Sequence, residues 1–136
     1  MLSPGYKSLG TFSITTAGTA VGDWVDGLEG CLSILAQMRL VYGSGGTTVR
    51  AYLQTSADDG DTPIDVACVL FGTASENAVL NLSALTPKTT QVTPSDGAMT
   101  DDTNVDGIIG DRFRVKVVST GTYAGSTQLV CSAVVR

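Results

Sequence analysis

Histidine is absent from this 136-residue chain, and with it goes the commonest general base. Neither a Ser–His–Asp nor a Cys–His arrangement can be assembled without it. Charge is also scarce: Asp, Glu, Lys and Arg make up 15% of the residues, and the balance is −5. That sign argues against a nucleic-acid partner held by bulk electrostatics. Aromatics amount to 6%, few for a surface that stacks on sugars. Long apolar runs are missing too. The richest, "CLSILAQMRLVYG", is interrupted by Gln37 and Arg39 and is too short to cross a membrane. "MLSPGYKSLG" lacks the basic start and apolar core of a signal peptide, so synthesis in a cytoplasm is expected.

What remains is rich in Gly, Thr, Ser and Val, with 43% apolar residues, a composition of short strands and tight turns around one core. Period-two alternation marks several strands. In residues 31–42, Leu32, Ile34, Ala36, Met38, Leu40 and Tyr42 alternate with Ser33, Leu35, Gln37, Arg39 and Val41; a helix competes, because Leu, Ala, Gln and Met favour helices. The alternation and the "GSGG" that follows favour a strand. Val49, Ala51 and Leu53 face one way and Arg50, Tyr52 and Gln54 the other. Ile64, Val66, Cys68 and Leu70 are expected to point inward, as are Leu80 and Leu82. Phe113, Val115 and Val117 alternate with Arg112, Arg114 and Lys116; Leu129, Cys131, Ala133 and Val135 form a last inward set.

The glycine-rich "YGSGGTT" lacks the Lys-Ser/Thr and the helix of a phosphate loop, and reads as a hairpin connection. "GTYAG" reads as a second hairpin turn, between the strands "DRFRVKVVST" (111–120) and "STQLVCSAVVR" (126–136). The expected fold is therefore all-β: a single antiparallel β-sandwich over residues 1–136, Ig-like or jelly-roll, with about seven or eight strands. Residues 1–10 are a candidate extended arm. Residues 86–110 are expected to be a long exposed excursion.

The acids concentrate in turns. Asp58, Asp59, Asp61 and Asp65 do not fit a calcium loop, because, counted from Asp59, Pro63 stands at the ligand position five and Ile64 at the glycine position six. Paired carboxylates of the glycosidase kind are conceivable, but Asp in turns is commonly selected for backbone geometry, so no enzyme is expected. Ser56, Asp58, Gly60 and Thr62 instead resemble the Asp-box, S-x-D-x-G-x-T-W, found on β-hairpin turns in sialidases and many other β proteins, with Pro63 in place of the Trp. The resemblance implies that Ser56 and Asp58 bond the turn's backbone and that Gly60 adopts a conformation other residues resist.

Cys31, Cys68 and Cys131 are widely spaced, and zinc is not expected without histidine. Cys68 and Cys131 read as small core residues, and an odd count leaves any of the three a candidate for an inter-subunit crosslink. Arg112, Arg114 and Lys116 form a basic stripe: a solvated strand face, or a contact face that docks on a neighbour's acidic excursion.

"VRAYLQTSADDGDTPIDVACVLF" and "DGAMTDDTNVDGIIGDRFRVKVVSTGTYAGSTQLVCSAVV" resemble small structural proteins of tailed bacteriophages, over residues 48–136. The resemblance implies a virion component, of the capsid decoration or neck, collar or tail-associated type. Its partners would be other virion proteins and its own copies, with no cofactor, membrane or small-molecule ligand. The alternative is a carbohydrate-binding or host-surface adhesion module, with Trp24, Tyr52 and Tyr123 stacking on sugars.

Overall fold

The computed structural model describes residues 3–136. Its strands are β1 (Gly5–Ser13), β2 (Gly18–Val21), β3 (Ser33–Val41), β4 (Ser44–Gly45), β5 (Thr48–Thr55), β6 (Ile64–Phe71), β7 (Glu76–Ser83), β8 (Thr103–Asn104), β9 (Phe113–Thr120), β10 (Tyr123–Ala124) and β11 (Gln128–Val135). No helix forms among the described residues, and the 31–42 segment is a strand. Two antiparallel sheets carry the fold: sheet A in the order β1-β11-β3-β7, and sheet B in the order β2-β9-β5-β6-β8.

The eight longer strands, taken in sequence, are ordered 1-8-3-6 in one sheet and 2-7-4-5 in the other. That is the jelly-roll order, and it decides between the two expected sandwiches. It also means that every connection between successive long strands crosses from one sheet to the other, except β5 to β6. The two glycine-rich loops are therefore corners and not hairpin turns. β9 and β11 do not pair: β9 lies between β2 and β5, and β11 between β1 and β3. "YGSGGTT" likewise leads from β3 in sheet A to β5 in sheet B. Alternation identifies a strand and its buried face, but the neighbour across a glycine loop is chosen by which sheet's edge remains open.

The two corners pair with each other, Tyr123 with Gly45 and Ala124 with Ser44. Tyr123 is buried; its amide donates to Thr15 O at 2.7 Å and its hydroxyl to Gly72 O at 2.8 Å, which ties four loops at one end of the sandwich. Gly46 shows why these corners need glycine. It has a φ of +77°, and a Cβ there would collide with the Tyr123 ring.

The core lies between the sheets. Ile34, Ala36, Met38 and Leu40 of β3 and Leu129, Cys131, Ala133 and Val135 of β11 face Val49, Ala51 and Leu53 of β5 and Phe113, Val115 and Val117 of β9. These sets follow the alternation in the sequence. β6 does not. Its residues Ala67, Val69 and Phe71 face the core, whereas Cys68 and Leu70 sit opposite Tyr52 and Arg50 on the outer side. A bulge at Leu53/Gln54 shifts the register and leaves Val66 buried out of step. A strand covered on both faces reads as a continuous apolar run, so its phase is not encoded in alternation.

Residues 5–10 of the candidate extended arm 1–10 belong to β1, which pairs with β11 of the same chain; residues 1 and 2 lie outside the described residues. The excursion divides in two. Residues 86–94 are exposed as expected, whereas residues 95–107 lie along the outer side of sheet B and close the gap between the edges of β6 and β7.

Candidate functional site

Among the described residues, the only in-sheet hairpin between long strands is β5–β6, whose turn carries the residues that resemble an Asp-box. Ser56, 1% exposed, accepts the Gly60 amide at 3.0 Å and donates its hydroxyl to Asp58 Oδ1 at 2.9 Å. Asp58 Oδ1 also accepts the Thr62 amide at 2.7 Å. Hydrogen bonds from Thr62, side chain first, and from Ser56 hold the Asp58 carboxyl below the usual carboxylate range. Gly60 has a φ of +90°. A Cβ added there would stand 2.9 Å from Trp24 Nε1, so the indole lies directly on the turn. The Asp-box usually supplies its own Trp where this chain has Pro63; here Trp24, on the β2–β3 connection, occupies the space above the motif's glycine. Sequence reading missed this, because the two segments are 36 positions apart.

Trp24 also anchors the basic stripe. The Arg114 guanidinium lies over its ring, 4.4 Å from the centroid, and Arg114 Nε donates to Gln54 Oε1 at 2.9 Å. Gln54 is fully buried and passes the chain of bonds on, its Nε2 donating to Asp65 Oδ1 at 2.8 Å and to Asp96 Oδ1 at 2.7 Å. Lys116 Nζ pairs with Asp96 at 3.0 Å. Arg112 pairs with Asp59 at 2.7 Å and with Asp111 at 3.0 Å. The stripe thus meets an acidic excursion, as its charge suggests, but the excursion and the turn belong to the same chain. The side chains of Arg112 and Lys116 are 12% and 17% exposed, which leaves little of either for a neighbour.

Asp65 is the centre of this arrangement. It is 7% exposed and accepts four donors: Gln54 Nε2, Ser95 Oγ at 2.9 Å, and the amides of Gly97 at 2.8 Å and Ala98 at 2.9 Å. Further along, Arg50 forks onto Asp101 with bonds of 2.7 and 3.2 Å. Asp102 accepts the Leu70 amide on the β6 edge at 3.0 Å, and Asp106 accepts the Ser83 amide on the β7 edge at 2.9 Å. These two acids occupy the strand-edge donors through which sheets aggregate. Asp58, Asp59 and Asp65 of the β5–β6 hairpin and Asp96, Asp101, Asp102 and Asp106 of the excursion therefore have structural roles, and among the described residues no group of three acids or cysteines converges as a metal site would require.

All three thiols are inside, Cys31 7%, Cys68 1% and Cys131 1% exposed, so none stands at the surface as a crosslinking cysteine would. Cys131 is in the core, where burial pushes its thiol up to about 12. Cys68 lies beneath the excursion, 3.8 Å from Asp101; burial, followed by the Asp101 charge, pushes it up to about 11. Thiols so disfavoured as thiolates are poor nucleophiles. Of the aromatics considered for sugar stacking, Tyr52 and Tyr123 are buried and the Trp24 ring carries Arg114.

The outer side of sheet A is different in kind. Its outward residues run in rows across the strands: Tyr6, Val134, Leu35 and Asn81; then Ser8, Ser132, Gln37 and Val79; then Thr11, Val130, Arg39 and Asn77. Tyr6 is 69%, Val79 63% and Leu35 45% exposed. None of the chain's 13 acids is among them, and Arg39 is the one formal charge.

No protein-family model matches this chain, and no curated protein matches it in sequence.

Proposed function

We propose that this chain is a non-enzymatic structural protein of a tailed-bacteriophage virion, a capsid decoration or neck/collar component that stabilises the particle by binding neighbouring subunits. The observation that carries this reading is the outer side of sheet A: four strands wide, free of acids, with Tyr6, Leu35 and Val79 exposed. Depletion of charge with exposed aromatic and aliphatic groups is the composition of a contact-surface centre. The polar clusters elsewhere are engaged in building turns and holding the excursion, and the sequence has no histidine to serve as a base. Jelly-rolls recur in viral capsid and lectin domains, which supports the reading by analogy alone.

The test is co-expression with the capsid and neck proteins of the virion to which the chain is assigned, followed by sedimentation of assembled particles. The chain is expected to travel with the particles in a fixed ratio and to leave when Leu35 and Val79 are changed to Glu. A chain that stays at the top of the gradient would overturn the reading.

A further inference from the structure

We infer that the outer face of sheet A is the surface through which two copies of this chain pair, sheet against sheet. The inference rests on the structural role proposed above and names one of its partners.

Charge selects the occupant. Each chain carries −5, and none of its 13 acids lies on this face. Two copies brought together on the side that carries the Ser56–Pro63 turn and the excursion would set acid against acid; on the outer face of sheet A they set Tyr6, Leu35, Val79 and Val134 against the same groups and the polar Ser8, Ser132 and Gln37. A strongly charged partner would gain no counter-charge beyond Arg39 and would lose hydration. A copy of the same neutral face is self-complementary, as a two-fold interface requires.

Area is sufficient. Four strands spaced about 4.8 Å apart and eight residues long, at about 3.4 Å each, cover roughly 520 Å². Two such faces remove about 1,000 Å², the lower bound for a specific interface and the size expected of a weak dimer. Sheets that meet this way pack about 10 Å apart, with strands about 30° from parallel. Arg39 lies away from the middle of the face, which falls between Ser132 and Gln37.

Sedimentation equilibrium of the whole chain tests this, up to the highest concentration at which it stays in solution. A concentration-dependent dimer is expected. Leu35→Glu and Val79→Glu should each weaken it at least tenfold, while Val21→Glu, exposed on β2 in the other sheet, should leave it unchanged. Ser132→Cys supplies a reading that does not depend on those variants: under mild oxidant it should crosslink to its own copy, since the native thiols are buried. A monomer at every concentration overturns the pairing, and so does a dimer that survives both glutamates with no Ser132→Cys crosslink. If the chain is monomeric yet joins particles through Leu35 and Val79, the pairing fails and the structural role stands. If it pairs but joins no particle, the structural role fails and the pairing stands.

Discussion

On sheet B, the outward residues Arg50, Gln54, Arg114 and Lys116 are met by Asp101, Asp65, Trp24 and Asp96 of the same chain. On sheet A, the outward residues Tyr6, Leu35 and Val79 stand exposed. The two faces arise from the same strand alternation and differ in what covers them. Sheet B carries charge and buried amides that need partners; the 29-residue connection from β7 to β9 supplies Asp96 and Asp101, and β6 and the β2–β3 connection supply Asp65 and Trp24. Sheet A's outer residues are uncharged apart from Arg39 and make no such demand. A face that must be satisfied to fold is closed within the chain; a face that folds without cover is left open.

Four substitutions or conditions sharpen that contrast. The largest effect is expected at Asp65. Asp65→Ala strands four donors in a buried site and should cost about 3–4 kcal/mol, read as a lower urea midpoint. Ser56→Ala should cost about 1–2 kcal/mol in the same experiment, since its buried hydroxyl organises the Asp-box turn.

Acid should then open sheet B selectively. Bonds from Gln54 and then Lys116 hold the Asp96 carboxyl below its ordinary 3.8, and Arg50 does the same for Asp101. A carboxyl depressed in the folded state contributes stability above its unfolded pKa and loses it as pH falls through the folded value. Below about pH 3.8 the excursion should loosen. Modification of Cys68 by a disulfide reagent active in acid should accelerate there while Cys131 stays protected; equal rates would mean global unfolding. The smallest effect is on sheet A. Val79→Ser should move stability by less than about 0.5 kcal/mol, so a large loss at this position would mean that the face is covered after all.

Much of this fold is legible in the sequence where a strand has one buried face. β3, β5, β9 and β11 show their inward residues by alternation, and Ser56, Asp58 and Gly60 declare the single long-strand hairpin. β6 hides its phase because Cys68 and Leu70 are covered by the excursion while Ala67 and Val69 are covered by the core. The corners at 42–47 and 121–127 look like hairpin turns, because glycine answers the same steric need in both. The basic stripe and the acidic excursion are plainly complementary in sequence; that they meet within one chain depends on the path from β7 to β9, which charge does not specify. Trp24 above Gly60 joins two loops at one end of the sandwich, and only the jelly-roll order brings them together.

Hydroxyl-radical footprinting of dilute and concentrated chain reads both faces at once. Tyr6, Leu35 and Val79 should label strongly in dilute solution and become protected as concentration rises, while Tyr52 and Cys68 stay unlabelled throughout. Labelling of Tyr52 on a par with Tyr6 in the monomer would contradict the division of the molecule into one closed face and one open one, and no protection of Tyr6 at any concentration would contradict the pairing of the open face.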